Sequence, residues 1–190
     1  YTAHWDHLGK GADVPGDKSA DTIFNGASDN ATGIAALIEL ARGFGATSPR
    51  PSRSVMFVAF TAEESGTLGS EYFAAHPPAP VAKMYGGLNM DNLYAIGQTR
   101  DLTVIGFGAS DLDDYLRRAV ARQDRVLVPE PTPEKGFYFR SDHFSLAKLG
   151  VPMLYTKAGI DSPTRGADYG RAWLEDYIAN RYHKPSDEYD

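Results

Sequence analysis

The sequence predicts an α/β fold: three layers, with a mainly parallel (mixed) central sheet and helices on both faces. Three observations predict it. Short β-favouring runs alternate with segments of helical period from end to end, the pattern of a sheet built by crossover connections. Residues 54–60 (Ser-Val-Met-Phe-Val-Ala-Phe) are apolar at both parities, as expected of a central strand buried on both faces. Several apolar runs end on a carboxylate, and the carboxyl ends of strands in such sheets are where ligands bind.

The 190 residues suffice for one domain with a real core. Nineteen basic against 25 acidic residues leave a net charge of −6, with no basic tract. That balance argues against nucleic acid and anionic membranes as partners. No run approaches the roughly 18 apolar residues of a membrane span. Cysteine is absent, which removes thiolate zinc sites, disulfides and cysteine nucleophiles and leaves His and carboxylate to hold any metal. The chain opens at Tyr1 without a leader peptide and reads as a piece of a longer protein, so its compartment is not encoded in these residues.

Tyr1 to His7 reads as the end of a strand, with alternation placing His4 and Asp6 on one face. A carboxylate close to a histidine suits a metal ligand and its orienting partner; a surface His near an Asp is the plainer alternative. Lys10 to Ala20 is polar, with Gly and Pro, and reads as a loop. Apolar residues at 34, 37, 38 and 41 have helical period, and Ser28, Asp29 and Asn30 crowd the amino end of that helix. One of them serves as its N-cap, yet a cap needs only one side chain. Glu63 and Glu64, just past the apolar strand, either lie on a solvated turn or share a proton or a cation.

Ser65 to His76 reads as a turn and a short helix, with His76 at its carboxyl end as the helix dipole favours. Gly86 to Met90 is a further strand running into Asp91, and Leu102 to Phe107 is another. Asp111, Asp113 and Asp114 fall in the first turn of a helix from Ser110 and are assigned to capping and solvation. Val126 to Val128 is a short strand. Ser141 is placed to cap a helix to Lys148, and Val151 to Tyr155 forms the last strand, with Pro152 tolerable near its start. A helix through Trp173, Tyr177 and Ile178 leads to the closing segment from Arg181 to Glu188. Ser141, Asp142 and His143 are contiguous, which makes no triad, and no G-x-S-x-G elbow is present.

His4, Asp29, Glu64, Asp91 and His183 thus stand at strand or helix edges, with Glu63 beside Glu64. Two imidazoles and three carboxylates without thiolate suit zinc or a similar ion. Five ligands are too many for one tetrahedral ion that keeps a water. They fit two ions if one carboxylate bridges, and Glu63 is then free to act as a base.

Six stretches carry a family resemblance: Ala3-His-Trp-Asp-His-Leu-Gly9, Gly26-Ala-Ser-Asp-Asn-Ala-Thr-Gly33, Thr61-Ala-Glu-Glu-Ser-Gly66 with Gly69-Ser70, Asn89-Met-Asp91, Arg140-Ser-Asp-His143 and Tyr182-His-Lys-Pro-Ser-Asp187. In this order, across nearly the whole chain, they resemble the M28-type zinc peptidases, the co-catalytic dizinc aminopeptidase group. The resemblance implies a phosphorylase/hydrolase-like zinc exopeptidase fold and two Zn2+ ions per chain. It implies that Asp29 bridges both ions, often across a cis peptide to the next residue, here Asn30. Glu64 and His183 would complete one zinc, and His4 and Asp91 the other. Asp6 matches a partner of His4, Glu63 the general acid/base, and Tyr182 a tyrosine that polarises the substrate carbonyl. No catalytic role is carried onto residues 140–143.

An aminopeptidase acting on peptides with a free N-terminus follows from the resemblance, as does a periplasmic or secreted location. Family domains carry further chain before the first histidine and often an inserted protease-associated domain. Residues 1–190 are therefore expected to form a single catalytic domain lacking those parts. Three alternatives share the fold: a one-zinc acyl transferase of the glutaminyl cyclase type, a carboxypeptidase, and a non-catalytic relative. The complete ligand set argues against the first and the last.

Overall fold

The computed structural model describes residues 1–11 and 21–189. The expected loop from Lys10 to Ala20 lies, from residue 12 onward, outside the described residues. In chain order the strands and helices are β1 (Thr2–His4), β2 (Gly9–Lys10), β3 (Ile23–Phe24), α1 (Thr32–Ala46), β4 (Val58–Phe60), α2 (Leu68–Ala75), β5 (Gly87–Met90), β6 (Asp101–Ile105), α3 (Leu112–Ala121), β7 (Val126–Pro129), α4 (His143–Ala147), β8 (Met153–Ala158) and α5 (Gly166–Asn180).

Six strands form one sheet in the order β4-β1-β5-β8-β6-β7, and β2 pairs with β3 in a separate ribbon. β4, β1, β5 and β8 run parallel. β6 lies antiparallel to β8 and parallel to β7. The sheet is mixed and mainly parallel, as expected.

Register and alternation assign the faces. Thr2 pairs with Asn89, and Asn89 with Tyr155, so Ala3 and Met90 point the other way. Ala3, Met90 and Leu37 of α1 make one buried cluster. Met153, Val151 and Leu146 of α4, with Phe73 of α2 against them, make another. Helices therefore cover both faces.

The apolar run 54–60 differs from its expected place. Only Val58–Phe60 is strand, and it pairs with β1 at the edge of the sheet rather than in the centre. Aromatic contacts nonetheless reach both of its sides, although Met56 and Ala59 stay exposed. Phe57 stacks on Tyr1 at 5.6 Å and tilts against Phe44 of α1 at 5.8 Å, while Phe60 meets Phe73 of α2 edge-on at 5.5 Å. Those contacts account for the aromatic positions of the run without a second neighbouring strand.

Two capping assignments also change. The Ser141 hydroxyl makes no cap for α4 and donates instead to Asp91 Oδ2 at 2.6 Å. Asp113 is buried, not solvated, and accepts the Gly108 N–H at 2.6 Å. The parallel arrangement of β1, β4, β5 and β8 has one consequence for function: their carboxyl ends share an edge, where His4, Glu63, Glu64 and Asp91 emerge.

Candidate metal centre

His4 ends β1 and is 1% exposed. Burying an imidazole is costly unless its nitrogens find partners. Here Nδ1 meets the backbone carbonyl of Asp6 at 3.0 Å, and Nε2 faces Asp29 Oδ1 at 3.2 Å and Asp91 Oδ1 at 3.6 Å. Asp91 follows β5 directly. Its second oxygen receives the Ser141 hydroxyl, which in turn accepts from Asn89 Nδ2 at 2.7 Å.

Asp29 sits in an irregular turn, Ala27–Ala31, with a cis peptide to Asn30. The surrounding side chains dictate that turn. Asp187 accepts the backbone N–H groups of Ser28 and Asp29 at 3.0–3.1 Å. Asn30 donates to the Met90 carbonyl at 3.0 Å and accepts the N–H groups of Gly33 and Asn92 at 3.1 and 3.0 Å. Gly33 is required here, because a Cβ would collide with both Asn30 Oδ1 and the Met90 carbonyl.

Asp29 thereby presents one oxygen to each of two histidines. Oδ1 faces His4, and Oδ2 lies 3.3 Å from His183 Nε2. His183 Nε2 is also 3.3 Å from Glu64 Oε2. His4, Asp29, Glu64, Asp91 and His183, expected to act together, do converge. Among the described residues three overlapping sets could each hold a cation: His4 with Asp29 and Asp91, His4 with Glu63 and Glu64, and His7 with Asp29 and Glu64. In each set the ligand atoms lie within 4.8 Å of one another.

Asp29 Oδ1 is buried and has no hydrogen-bond partner among the described residues. A buried carboxylate oxygen without an aligned donor costs free energy, which a cation seated between it and the His4 imidazole, 3.2 Å away, would offset. The donor set, imidazole and carboxylate without thiolate, fits zinc.

Glu63 and Glu64 lie on the turn after β4. The Glu63 N–H donates to Asp6 Oδ1 at 3.2 Å, and the Glu64 N–H lies 3.4 Å from Asp6 Oδ2. The Asp6 carboxylate therefore holds the turn that carries both glutamates, and stays 3.8 Å from His4 Nδ1. Ala62, Asn92 and His183 hold left-handed φ angles of 57, 59 and 56°. Such backbone in non-glycine residues is sparsely populated and gathers at functional sites.

The electrostatics follow from crowding. Burial alone would lower the His4 pKa, but the Asp29 and Asp91 carboxylates overcome it and push it up to about 12. Burial, reinforced by Asp91, pushes Glu63 up to about 9. Asp29 is held low despite burial by the His183 and His4 imidazoles that face its two oxygens. Burial also raises the Tyr182 hydroxyl, with the Asp29 and Asp91 charges adding to it. Burial opposes the charge of Lys157 on β8, and neighbouring Tyr94 and Asp91 more than restore it.

A cavity of about 470 Å³ opens onto the cluster, lined by Asp29, Glu63, Glu64, Asp91, Tyr182 and His183 among others. The Tyr182 ring stacks on His183 with centroids 3.9 Å apart. Phe137, Phe139, Tyr155 and Lys157 form part of its wall. Sequence alone assigns no site role to Asp187 or His7, and gives Ser141 and Asn30 no more than helix capping or a place beside Asp29. All four lie inside the six family-like stretches, between the positions that carry the expected chemistry.

The peptidase family M28 model matches residues 1–190. Leupeptin-inactivating enzyme 1 of Streptomyces exfoliatus is 29% identical over 164 residues, covering 80% of this chain and 36% of that protein. The LapA aminopeptidase of Legionella pneumophila superposes with a TM-score of 0.71 at 21% identity, over all of this chain and 44% of that one. A glutaminyl cyclase of Porphyromonas gingivalis superposes with a TM-score of 0.56 at 20% identity, over 97% of this chain and 64% of that one. The chain thus spans about a third to two thirds of the length of these relatives.

Proposed function

Because the chain belongs to peptidase family M28, we propose that its cluster holds two zinc ions and serves an aminopeptidase, removing residues from peptides with a free N-terminus. The observation that carries this reading is Asp29, with one oxygen toward His4 at 3.2 Å and the other toward His183 at 3.3 Å. In this reading His4 and Asp91 would hold one ion and Glu64 and His183 the other, with Asp29 offering one oxygen to each. Zinc, when bound, supplies Lewis acidity and lowers the pKa of water.

The remaining chemistry belongs to the chain. Glu63 takes a proton from the attacking water as its oxygen bonds to the carbonyl carbon. It returns that proton to the departing amine as the C–N bond breaks. Without ions, Glu63 keeps its proton at neutral pH, with its pKa near 9; positive charge beside it lowers that value into the range of a working base. Tyr182, held protonated by burial and the carboxylates, donates its hydroxyl to the carbonyl oxygen. Asp6, gripping the backbone of Glu63 and Glu64, keeps the base aimed. The acidic wall of Glu63 and Asp91 receives the free amine.

Hydrolysis of matched peptides blocked at one end or the other tests this reading. Cleavage of the carboxyl-blocked peptide, with none of the amino-blocked one, is expected. The reverse preference would make the protein a carboxypeptidase. Cyclisation of N-terminal glutamine without hydrolysis would make it an acyl transferase.

A further inference from the structure

His7 stands in one of the candidate cation sets, with Asp29 and Glu64, yet the two-zinc reading gives it no ligand role. It follows β1 by three residues, in a loop where a histidine would ordinarily reach solvent. Its side chain is instead 4% exposed. Three walls hold the ring: Phe24 of β3 at 6.4 Å, His183 edge-on at 5.6 Å, and the backbone at Gly26. A Cβ at Gly26 would come within 2.7 Å of His7 Cγ, so the glycine makes room for the ring. Burial this complete costs an imidazole free energy unless a nitrogen is satisfied. One is: His7 Nδ1 lies 2.7 Å from Glu64 Oε1.

Glu64 is thereby divided between two imidazoles. Oε1 faces His7 Nδ1 at 2.7 Å and Oε2 faces His183 Nε2 at 3.3 Å. The carboxylate only accepts, so Nδ1 carries the proton in this pair. With one oxygen held, rotation of the carboxylate about its terminal bond is restrained, and its other oxygen is turned toward His183. Nε2, on the far side of the ring, is buried without a partner among the described residues, so Glu64 is the group that fixes the ring's orientation.

We propose that His7 is a positioning residue for the Glu64–His183 ion position: its Nδ1–H locks Glu64 as a one-oxygen ligand and so sets the affinity of that position alone. This inference rests on the two-zinc reading and adds an asymmetry to it. The His4–Asp91 position is steadied by Ser141; its counterpart is steadied by a histidine. A lost orienting partner weakens metal affinity about ten- to a hundredfold.

The test is a zinc titration of the full metal-free chain, read by calorimetry against a competing chelator, with no activity assay involved. Wild type is expected to take up two ions. His7→Phe, which keeps the packing and removes the donor, should weaken one of the two steps by about ten- to a hundredfold and leave the other unchanged. His7→Asn, whose side-chain N–H replaces Nδ1–H, should recover most of that loss. Equal steps in wild type and His7→Phe would overturn the proposal, as would a loss shared by both steps or a failure of Asn to rescue. A wild-type chain that takes up no zinc would overturn the two-zinc reading beneath it. Nitrogen-15 spectra of the unmutated protein give a check that needs no variant to fold. They should show the His7 proton on Nδ1, and a proton on Nε2 alone would overturn the assignment.

Discussion

The Asp187 carboxylate accepts the backbone N–H of Asp29 at 3.0 Å, joining residues 158 positions apart. The same carboxylate receives the Ser28 N–H at 3.1 Å, and the Asp187 carbonyl accepts from Ala27. One buried side chain near the carboxyl end therefore shapes the turn that presents the central carboxylate. Asp187→Ala strands two buried N–H groups that had a charged acceptor, a loss of about 3 kcal/mol. Denaturant unfolding of the metal-free chain should read a lower midpoint at unchanged slope, with Asp187→Asn recovering part of it.

Ser141 hydrogen-bonds Asp91 at 2.6 Å and Asn89 at 2.7 Å. Ser141→Ala leaves a buried amide without its acceptor and frees Asp91 to turn. Zinc affinity at the His4–Asp91 position should fall about tenfold or more, measured in the same titration that reads His7. Thr in this position keeps the hydroxyl and should hold the affinity if the core admits the methyl.

Glu63→Gln removes a proton carrier and preserves shape. Turnover should fall by about a hundred- to ten-thousandfold, while zinc content by elemental analysis stays at the wild-type level. Loss of zinc along with activity would recast Glu63 as a ligand.

The metal-free chain should lose stability as pH rises. His4 is raised from its ordinary 6.5 to about 12, so its contribution is complete below about 6.5 and is lost as pH climbs through 12. Glu63, raised to about 9, acts in the same direction, because the folded chain there binds a proton that the unfolded chain has shed. Asp29 is lowered and works the opposite way, with its stability present above the ordinary carboxylate range and lost in acid. Between pH 6.5 and 9 the melting temperature of the metal-free chain should therefore decline. Zinc uptake near pH 7 should release protons, from His4 because a coordinating imidazole is neutral and from Glu63 because positive charge beside it lowers its pKa; calorimetry in buffers of different ionisation enthalpy reads their number.

Much of this centre was legible in the sequence because chemistry confines it to sheet edges. His4, Glu64 and Asp91 each end or follow an apolar run, Asp29 sits among more polar side chains than a cap needs, and His183 took its expected role from the family-like stretch 182–187. The edge position of β4 was not legible. Apolarity reports a tendency to pack, which Phe57 and Phe60 satisfy against aromatic side chains of the helices, and says nothing of hydrogen-bonded neighbours. Ser141 read as a helix cap because that is the commonest local use of serine before a helix, and its bond to Asp91 spans 50 residues. His7 and Asp187 were hidden for the same reason: their partners, Glu64 and the Asp29 turn, are distant in sequence and meet them only through the fold.

The central claim is that Asp29 lies between two cations. Anomalous diffraction at the zinc edge, from crystals of the full chain grown with zinc, tests it directly. Two peaks are expected, one against Asp29 Oδ1 with His4 and Asp91, the other against Oδ2 with Glu64 and His183. A single peak, or peaks that leave either Asp29 oxygen without a metal, would contradict the account.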